Sequence, residues 1–220
     1  MKYIFVRHGE PENCYGPNGE YKPSKKSGLS TVGIQQARSA GQLIKQQYNP
    51  KYIISSDTRR ALETAQQINS QLNEQLEISE NEEVREHHIY EDVLDSKDVL
   101  DSEYGEGGSN KIMERGAIPF EQAFAKCQKI IENLEQGQYD GDVVIATHGN
   151  IMRMLKFCAI ETEPDYERYK STLDGSIYSR GKVRNFCKMF AVDLDVPREQ
   201  RKIVEMKIAK EQQAGKEEIE

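Results

Sequence analysis

The sequence contains no tryptophan, only four histidines and four cysteines, and no apolar run longer than a few residues. A helix that crosses a bilayer needs about 20 consecutive apolar residues, so a membrane protein is not expected. The opening segment, MKYIFVRH, has too short an apolar stretch for a secretory leader. A cytoplasmic location is therefore the default expectation. Cys14, Cys127, Cys158 and Cys187 are widely separated with no C-x-x-C pair, which argues against a zinc knuckle and a disulfide scaffold and for reduced, mostly buried thiols. The histidines lack the short helical spacing of a zinc site, so no metal and no cofactor are expected. A formal charge of −7 argues against nonspecific binding to nucleic acid.

What the chain does have is alternation. In 220 residues, short apolar runs alternate with longer amphipathic stretches. Tyr3 to Val6, Tyr52 to Ser55 and Val143 to Ala146 read as buried strands. Ser30 is placed to cap a helix carrying Ile34, Ala37, Gly41 and Ile44. A second helix begins near Thr58 with Ala61, Leu62, Ala65 and Ile68. Pro119 suits the first turn of a third, with Phe120, Ala123, Phe124, Cys127, Ile130, Ile131 and Leu134 as its apolar face. Ile151 to Ala159 reads as a short apolar helix. Strands alternating with helices predict an α/β fold: a three-layer α/β/α sandwich around a mostly parallel sheet. Ser176 to Ser179 and Val183 to Val192, around Arg180-Gly181-Lys182, read as an edge hairpin. Residues 1–196 are expected to form one domain and 197–220 a charged, solvated helix and tail, with a dimer contact there as a minor alternative.

The charge is unevenly spread. From Glu77 to Glu106 twelve acids face only Arg85 and Lys97, a local balance of −10. Within this stretch the segment from about 87 to 118, with Gly105, Gly107 and Gly108, reads as an inserted acidic loop or lid.

Ligands of parallel α/β sheets bind beyond the carboxyl ends of the strands. Here the first strand runs into Arg7-His8-Gly9-Glu10, the second into Ser55-Ser56-Asp57-Thr58-Arg59-Arg60, and the third into Thr147-His148-Gly149-Asn150. Two strand-His-Gly junctions in a chain with four histidines, together with arginines at the same edge, point to phosphate chemistry. Neutral imidazole is a nucleophile near pH 7, and nearby cations lower its pKa and keep a nitrogen free. Arginine offers a fork of donors matched to phosphate oxygens. A carboxylic acid is then needed to protonate the departing alkoxide.

These residues, with Leu29-Ser30-Thr31-Val32-Gly33-Ile34-Gln35-Gln36-Ala37 and the Ala61-Leu62-Glu63-Thr64-Ala65 that follows Arg60, resemble the ordered motifs of the histidine phosphatase superfamily, the phosphoglycerate mutase-like fold. The resemblance implies a phosphatase working through a phosphohistidine on His8, with Arg7, Arg60 and His148 holding the phosphoryl group. Arg59 becomes a solvent-facing or structural neighbour. The family's proton donor lies in a Leu-x-Glu element, and Val84-Arg85-Glu86 is the nearest match. Glu86 is thus the expected acid, with Glu82 and Glu83 as competitors. Asn13, Gly149 and Asn150 flank the motifs as candidate substrate contacts. His87 and His88 read first as exposed loop residues, and Lys22, Lys25 and Lys26 as solubilising.

The chain lacks the Trp-Asn that follows the nucleophile in phosphoglycerate mutases and their Glu-Arg-His-Tyr-Gly element. It reads Pro11-Glu12-Asn13-Cys14 and Arg85-Glu86-His87-His88-Ile89-Tyr90 instead, and Arg115 stands without a companion. These departures favour phosphatase over mutase, the alternative being mutase-like phosphoryl transfer or a non-catalytic phosphate-binding module. The expected partner is a small phosphorylated metabolite or a phosphoprotein. The acidic segment disfavours highly charged substrates.

Overall fold

The strands are apolar on both sides, and in the computed structural model each side meets its own layer of helices. The structure describes residues 1–12, 26–95, 97, 100–101, 107–114, 116–172 and 186–208. In chain order these contain β1 (Tyr3–Arg7), α1 (Thr31–Gln47), β2 (Pro50–Ser55), α2 (Arg59–Asn69), β3 (Ile78–Glu80), β4 (His88–Ile89), α3 (Tyr90–Asp95) and α4 (Gly108–Glu114). There follow β5 (Ala117–Ile118), α5 (Phe120–Gln136), β6 (Asp142–Thr147), α6 (Gly149–Cys158), α7 (Tyr166–Ser171), β7 (Met189–Val192) and β8 (Val204–Met206). Strand order in the main sheet is β3-β2-β6-β1-β7-β8. The first four strands are mutually parallel, while β7 is antiparallel to both β1 and β8. Ile4, Val6, Val144 and Ala146 pack with Ala37, Ala40 and Ile44 of α1 and Ala65 and Ile68 of α2. Tyr3, Phe5, Val143 and Ile145 pack on the other side with Phe124, Cys127 and Ile131 of α5 and Met154 and Leu155 of α6. The fold is the expected three-layer α/β/α arrangement.

Local chemistry starts and stops these elements. Ser30 caps α1, its Oγ accepting from Gly33 N at 3.0 Å. Pro119 sits one residue earlier than expected, as the N-cap of α5 rather than within its first turn. At its C-terminal end, α6 leaves the carbonyls of Cys158 and Ala159 without helical partners, and Arg198 and Arg201 donate to them and to Glu161 O just beyond. No helix among the described residues is long and apolar enough to cross a membrane.

Three expectations are corrected. The strand Met189–Val192 is not at the sheet edge but lies between β1 and β8, while the hairpin expected around Arg180-Gly181-Lys182 falls on residues outside those described. The segment after 197 is not a solvated helix through 206. Val204–Met206 is a sheet strand with Met206 and Ile208 buried, so the fold runs past residue 196. Its Val204-Glu205-Met206-Lys207-Ile208 alternation has the period of a strand, outweighed in the sequence by the surrounding Lys and Glu. The 87–118 segment is more than a loop. It holds α3 and α4, a small parallel ladder of β4 with β5, and its own cluster of Val93, Leu100 and Ile112. Cys127, Cys158 and Cys187 are buried free thiols.

Candidate functional site

Strands β1 and β6 run side by side with Arg7 opposite Thr147. The residues that follow, His8 and His148, therefore leave the sheet at one edge, their ring centroids 5.2 Å apart in an edge-on arrangement. His8 N donates to Thr147 O at 2.9 Å, extending the ladder into the site. Arg60 enters from the second position of α2, buried, with Nε 3.2 Å from His8 Nε2 and Nη2 3.4 Å from His148 Nδ1. Arg7 lies under the site, its guanidinium carbon 4.8 Å from the centre of the Phe186 ring. Gly149, the first residue of α6, lies against that guanidinium, and a Cβ there would be in ordinary van der Waals contact with it at 3.4 Å from Arg7 Nε.

The tautomer of His8 follows from its partners. Nδ1 is 2.7 Å from Gly9 O, and a carbonyl only accepts, so Nδ1 carries the proton. Nε2 then carries the lone pair and faces Arg60. Burial, with the neighbouring His148, Arg60 and Arg7, holds the His8 imidazole well below its ordinary value of 6.5. Burial together with Arg60 and Arg7 lowers His148 to about 3, against an opposing pull from Glu86. Both rings are thus neutral at neutral pH.

Among the three candidate carboxylates the geometry separates Glu86. Its Oε1 accepts from Asn150 N and Ile151 N, both at 3.1 Å, placing the carboxylate on the N-terminus of α6 next to His148. Burial pushes its pKa up, but His148, His88 and the Ile151 N–H outweigh it, and the net direction is down. Glu82 and Glu83 are exposed on a single-turn 3-10 helix. That turn is tied to the site because Thr147 Oγ1 donates to Val84 O at 2.7 Å. Arg85 turns away and forms a bidentate pair with Asp57.

The remaining expected residues divide. Asn150 contributes its backbone N–H to Glu86, and its side chain meets His88 Nδ1 at 3.0 Å and the Arg153 guanidinium at 3.3 Å. His88 is therefore beside the site, not simply on an exposed loop. His87 points away into the protein and is buried. Arg59 is exposed and pairs with Glu63. Lys26 is exposed. Asn13, Lys22, Lys25, Gly105 and Arg115 lie outside the described residues.

Three residues at the site were not singled out from the sequence. Ser56 and Thr58 meet His148 Nε2 through their hydroxyls at 3.0 and 3.2 Å. Phe186 packs its ring 5.9 Å from that of His8. The hydroxyls were open to view inside the strand-to-Arg60 loop. Phe186 carries no such signal: it precedes β7, far along the chain from the motifs. Among the described residues, no cluster of three or more His, Cys, Asp or Glu is arranged to hold a metal ion.

Comparison with known proteins gives the family and the fold. A family model for the histidine phosphatase superfamily (branch 1) matches residues 3–178. Two Arabidopsis thaliana proteins align over 159 residues. Phosphoglycerate mutase-like protein 4 is 21% identical over 69% of this chain and 68% of its own length. A metal-independent phosphoserine phosphatase is 22% identical over 69% and 66%. Among solved structures, the phosphoserine phosphatase of Entamoeba histolytica, crystallised as a variant with phosphoserine, shares the fold with a TM-score of 0.59 at 21% identity, over 92% of this chain and 94% of the other. Mycobacterial glucosyl-3-phosphoglycerate phosphatase superposes with a TM-score of 0.59 at 17% identity, over 87% and 89%.

Proposed function

The chain belongs to the histidine phosphatase superfamily (branch 1), as an enzyme of its phosphatase type, and from that membership we propose that it hydrolyses phosphate monoesters through a phosphohistidine on His8, without a metal ion. The observation that carries this reading is the lone pair of His8 Nε2, left free by the Nδ1–Gly9 bond and turned towards Arg60 beside His148.

In the first step Nε2 attacks phosphorus, and the bond to the ester oxygen breaks. Arg60 exchanges its contact with Nε2 for one with a phosphoryl oxygen, and Arg7 and His148 hold the others. The guanidinium forks supply the fixed positive charge that the transferring group requires. Nδ1–H keeps donating to Gly9 O, which stabilises the positive charge that develops on the ring. Glu86, once protonated, gives its proton to the leaving alkoxide. In the second step its carboxylate removes a proton from water as that water attacks the phosphohistidine. Inorganic phosphate leaves and His8 is restored.

The leaving group faces Asn150 and His88, which share Glu86's side of the pocket. A small monoester of modest charge fits this reading, and the relatives make phosphoserine the first natural substrate to try. The test is hydrolysis of p-nitrophenyl phosphate in EDTA by wild type and His8→Ala. Activity in the wild type and a trapped acid-labile phosphoenzyme, both absent from the variant, are the expected results. Hydrolysis by His8→Ala at the wild-type rate would overturn the assignment.

A further inference from the structure

We infer that Ser56 and Thr58 are positioning residues for His148: Arg60 selects the Nε2–H tautomer, and the two hydroxyls receive that N–H and hold the ring with its Nδ1 lone pair towards the phosphoryl site. The inference rests on the phosphatase reading for its catalytic meaning, while the tautomer itself is a property of the free protein.

The donor count decides the tautomer. Arg60 Nη2 lies 3.4 Å from His148 Nδ1, and a guanidinium only donates. Nδ1 therefore presents its lone pair, and the proton sits on Nε2. That N–H lies 3.0 Å from Ser56 Oγ and 3.2 Å from Thr58 Oγ1. A hydroxyl accepts or donates as needed, so the pair accepts here. Both hydroxyls also meet each other, 3.4 Å apart.

Two features mark this as more than incidental packing. Thr58 is the N-cap residue of α2, yet it makes no side-chain cap bond. The oxygen that ordinarily accepts from the first turn of its own helix is directed at His148. Ser56 is fully buried, and its backbone N–H donates to Ala146 O at 2.9 Å. The strand that leads into His148 thus also anchors the residue that orients it.

The chemical consequence concerns the substrate proton. A phosphate monoester has its second pKa near 6 and so arrives partly as a monoanion. When a monoanion binds, its phosphoryl O–H donates a hydrogen bond to the Nδ1 lone pair, while Nε2–H stays on the two hydroxyls. The opposite tautomer has no lone pair facing the phosphoryl group and cannot accept this hydrogen bond.

The test is ring-15N NMR of histidine-labelled protein, with His148 assigned by comparison with His148→Gln. The wild type is expected to show a protonated Nε2 and an unprotonated Nδ1 at neutral pH. Ser56→Ala/Thr58→Val is expected to shift this tautomer balance and to lower kcat by about 10–100-fold, the usual loss when an orienting partner of a histidine is removed. Ser56→Ala/Thr58→Ser, which keeps one hydroxyl, is expected to restore most of both. A wild-type spectrum with the proton on Nδ1, or a double variant with unchanged tautomer and kcat, overturns the inference. Should the double variant not fold, the wild-type spectrum and Thr58→Val still decide. A wild type inactive on every monoester would sink the parent reading and leave the spectrum to judge the tautomer.

Discussion

Glu86 rests as a carboxylate in the free protein, yet a departing alkoxide needs a proton. The two states are reconciled by the substrate, whose negative charge beside the carboxylate favours its protonation. A pH dependence follows. Since His8 and His148 stay neutral well below pH 6.5, kcat/KM for an alkyl phosphate is expected to rise as the pH falls from neutrality and Glu86 takes up its proton. In Glu86→Gln this acid limb disappears, and the burst phase, which reports the first step alone, slows by about 10²–10⁴-fold for an alkyl ester. For p-nitrophenyl phosphate, whose leaving group needs no proton, the burst slows far less. Equal losses on both esters would remove Glu86 from leaving-group protonation. At this scale the sequence carries a residue's identity but not its orientation. Arg7, His8, Arg60 and His148 were legible because each sits next to a strand end or helix start. Glu86 was separable from Glu82 and Glu83 only by its contact with the α6 N-terminus, and His87 from His88 only by which side of the chain each faces.

Elements were legible where one period dominated. The apolar spacing of α1, α2 and α5 marks their buried faces, whereas β8 is three residues long amid charge and its alternation is too brief to stand out. Less visible is how closely elements approach. The His8-Gly9-Glu10 loop and the first turn of α1 touch through Gly9 and Gly33. A Cβ on Gly33 would fall 2.1 Å from Glu10 O, and one on Gly9 2.5 Å from Gly33 O. Both clashes are with backbone, which a rotamer change cannot relieve. Gly33→Ala is therefore expected to push α1 off the loop that carries the nucleophile, at a cost of about 1–3 kcal/mol in urea unfolding and with a fall in kcat. Unchanged stability and rate would mean the two backbones separate freely.

For the molecule as a whole, burial of three neutral histidines sets its response to acid. His87 is held at about 4, chiefly by burial, and neither ring nitrogen has a well-aligned partner among the described residues. His148 is held at about 3 and His8 well below 6.5. Each folded-state value lies below the unfolded one, so the unfolded chain takes up protons first. Stability is then fully present above pH 6.5 and is lost as the pH falls below it. For His87 alone the loss by pH 4 is about 3 kcal/mol. His87→Leu is expected to flatten the fall in unfolding free energy between pH 7 and pH 4 by roughly that amount while sparing the active-site pair. An unchanged pH profile would show that His87 does not limit acid stability. Layering and sheet direction were legible from the βα alternation, but the internal architecture of the 87–118 segment was not, since its cluster draws on Val93, Leu100 and Ile112 from widely separated positions.

The separation of His8 from His148 has a consequence of its own. Their backbones leave two paired strands and so stand roughly 4.8 Å apart, and side-chain contacts set the rings 5.2 Å apart on that base. The backbone spacing is in effect a lattice constant of the sheet. A register step of about 3.3 Å per residue is forbidden by the buried pairing of Tyr3 through Arg7 with Val143 through Thr147. Peripheral segments are thus free to diverge and acquire new substrates while the reacting centre stays quantised by the backbone.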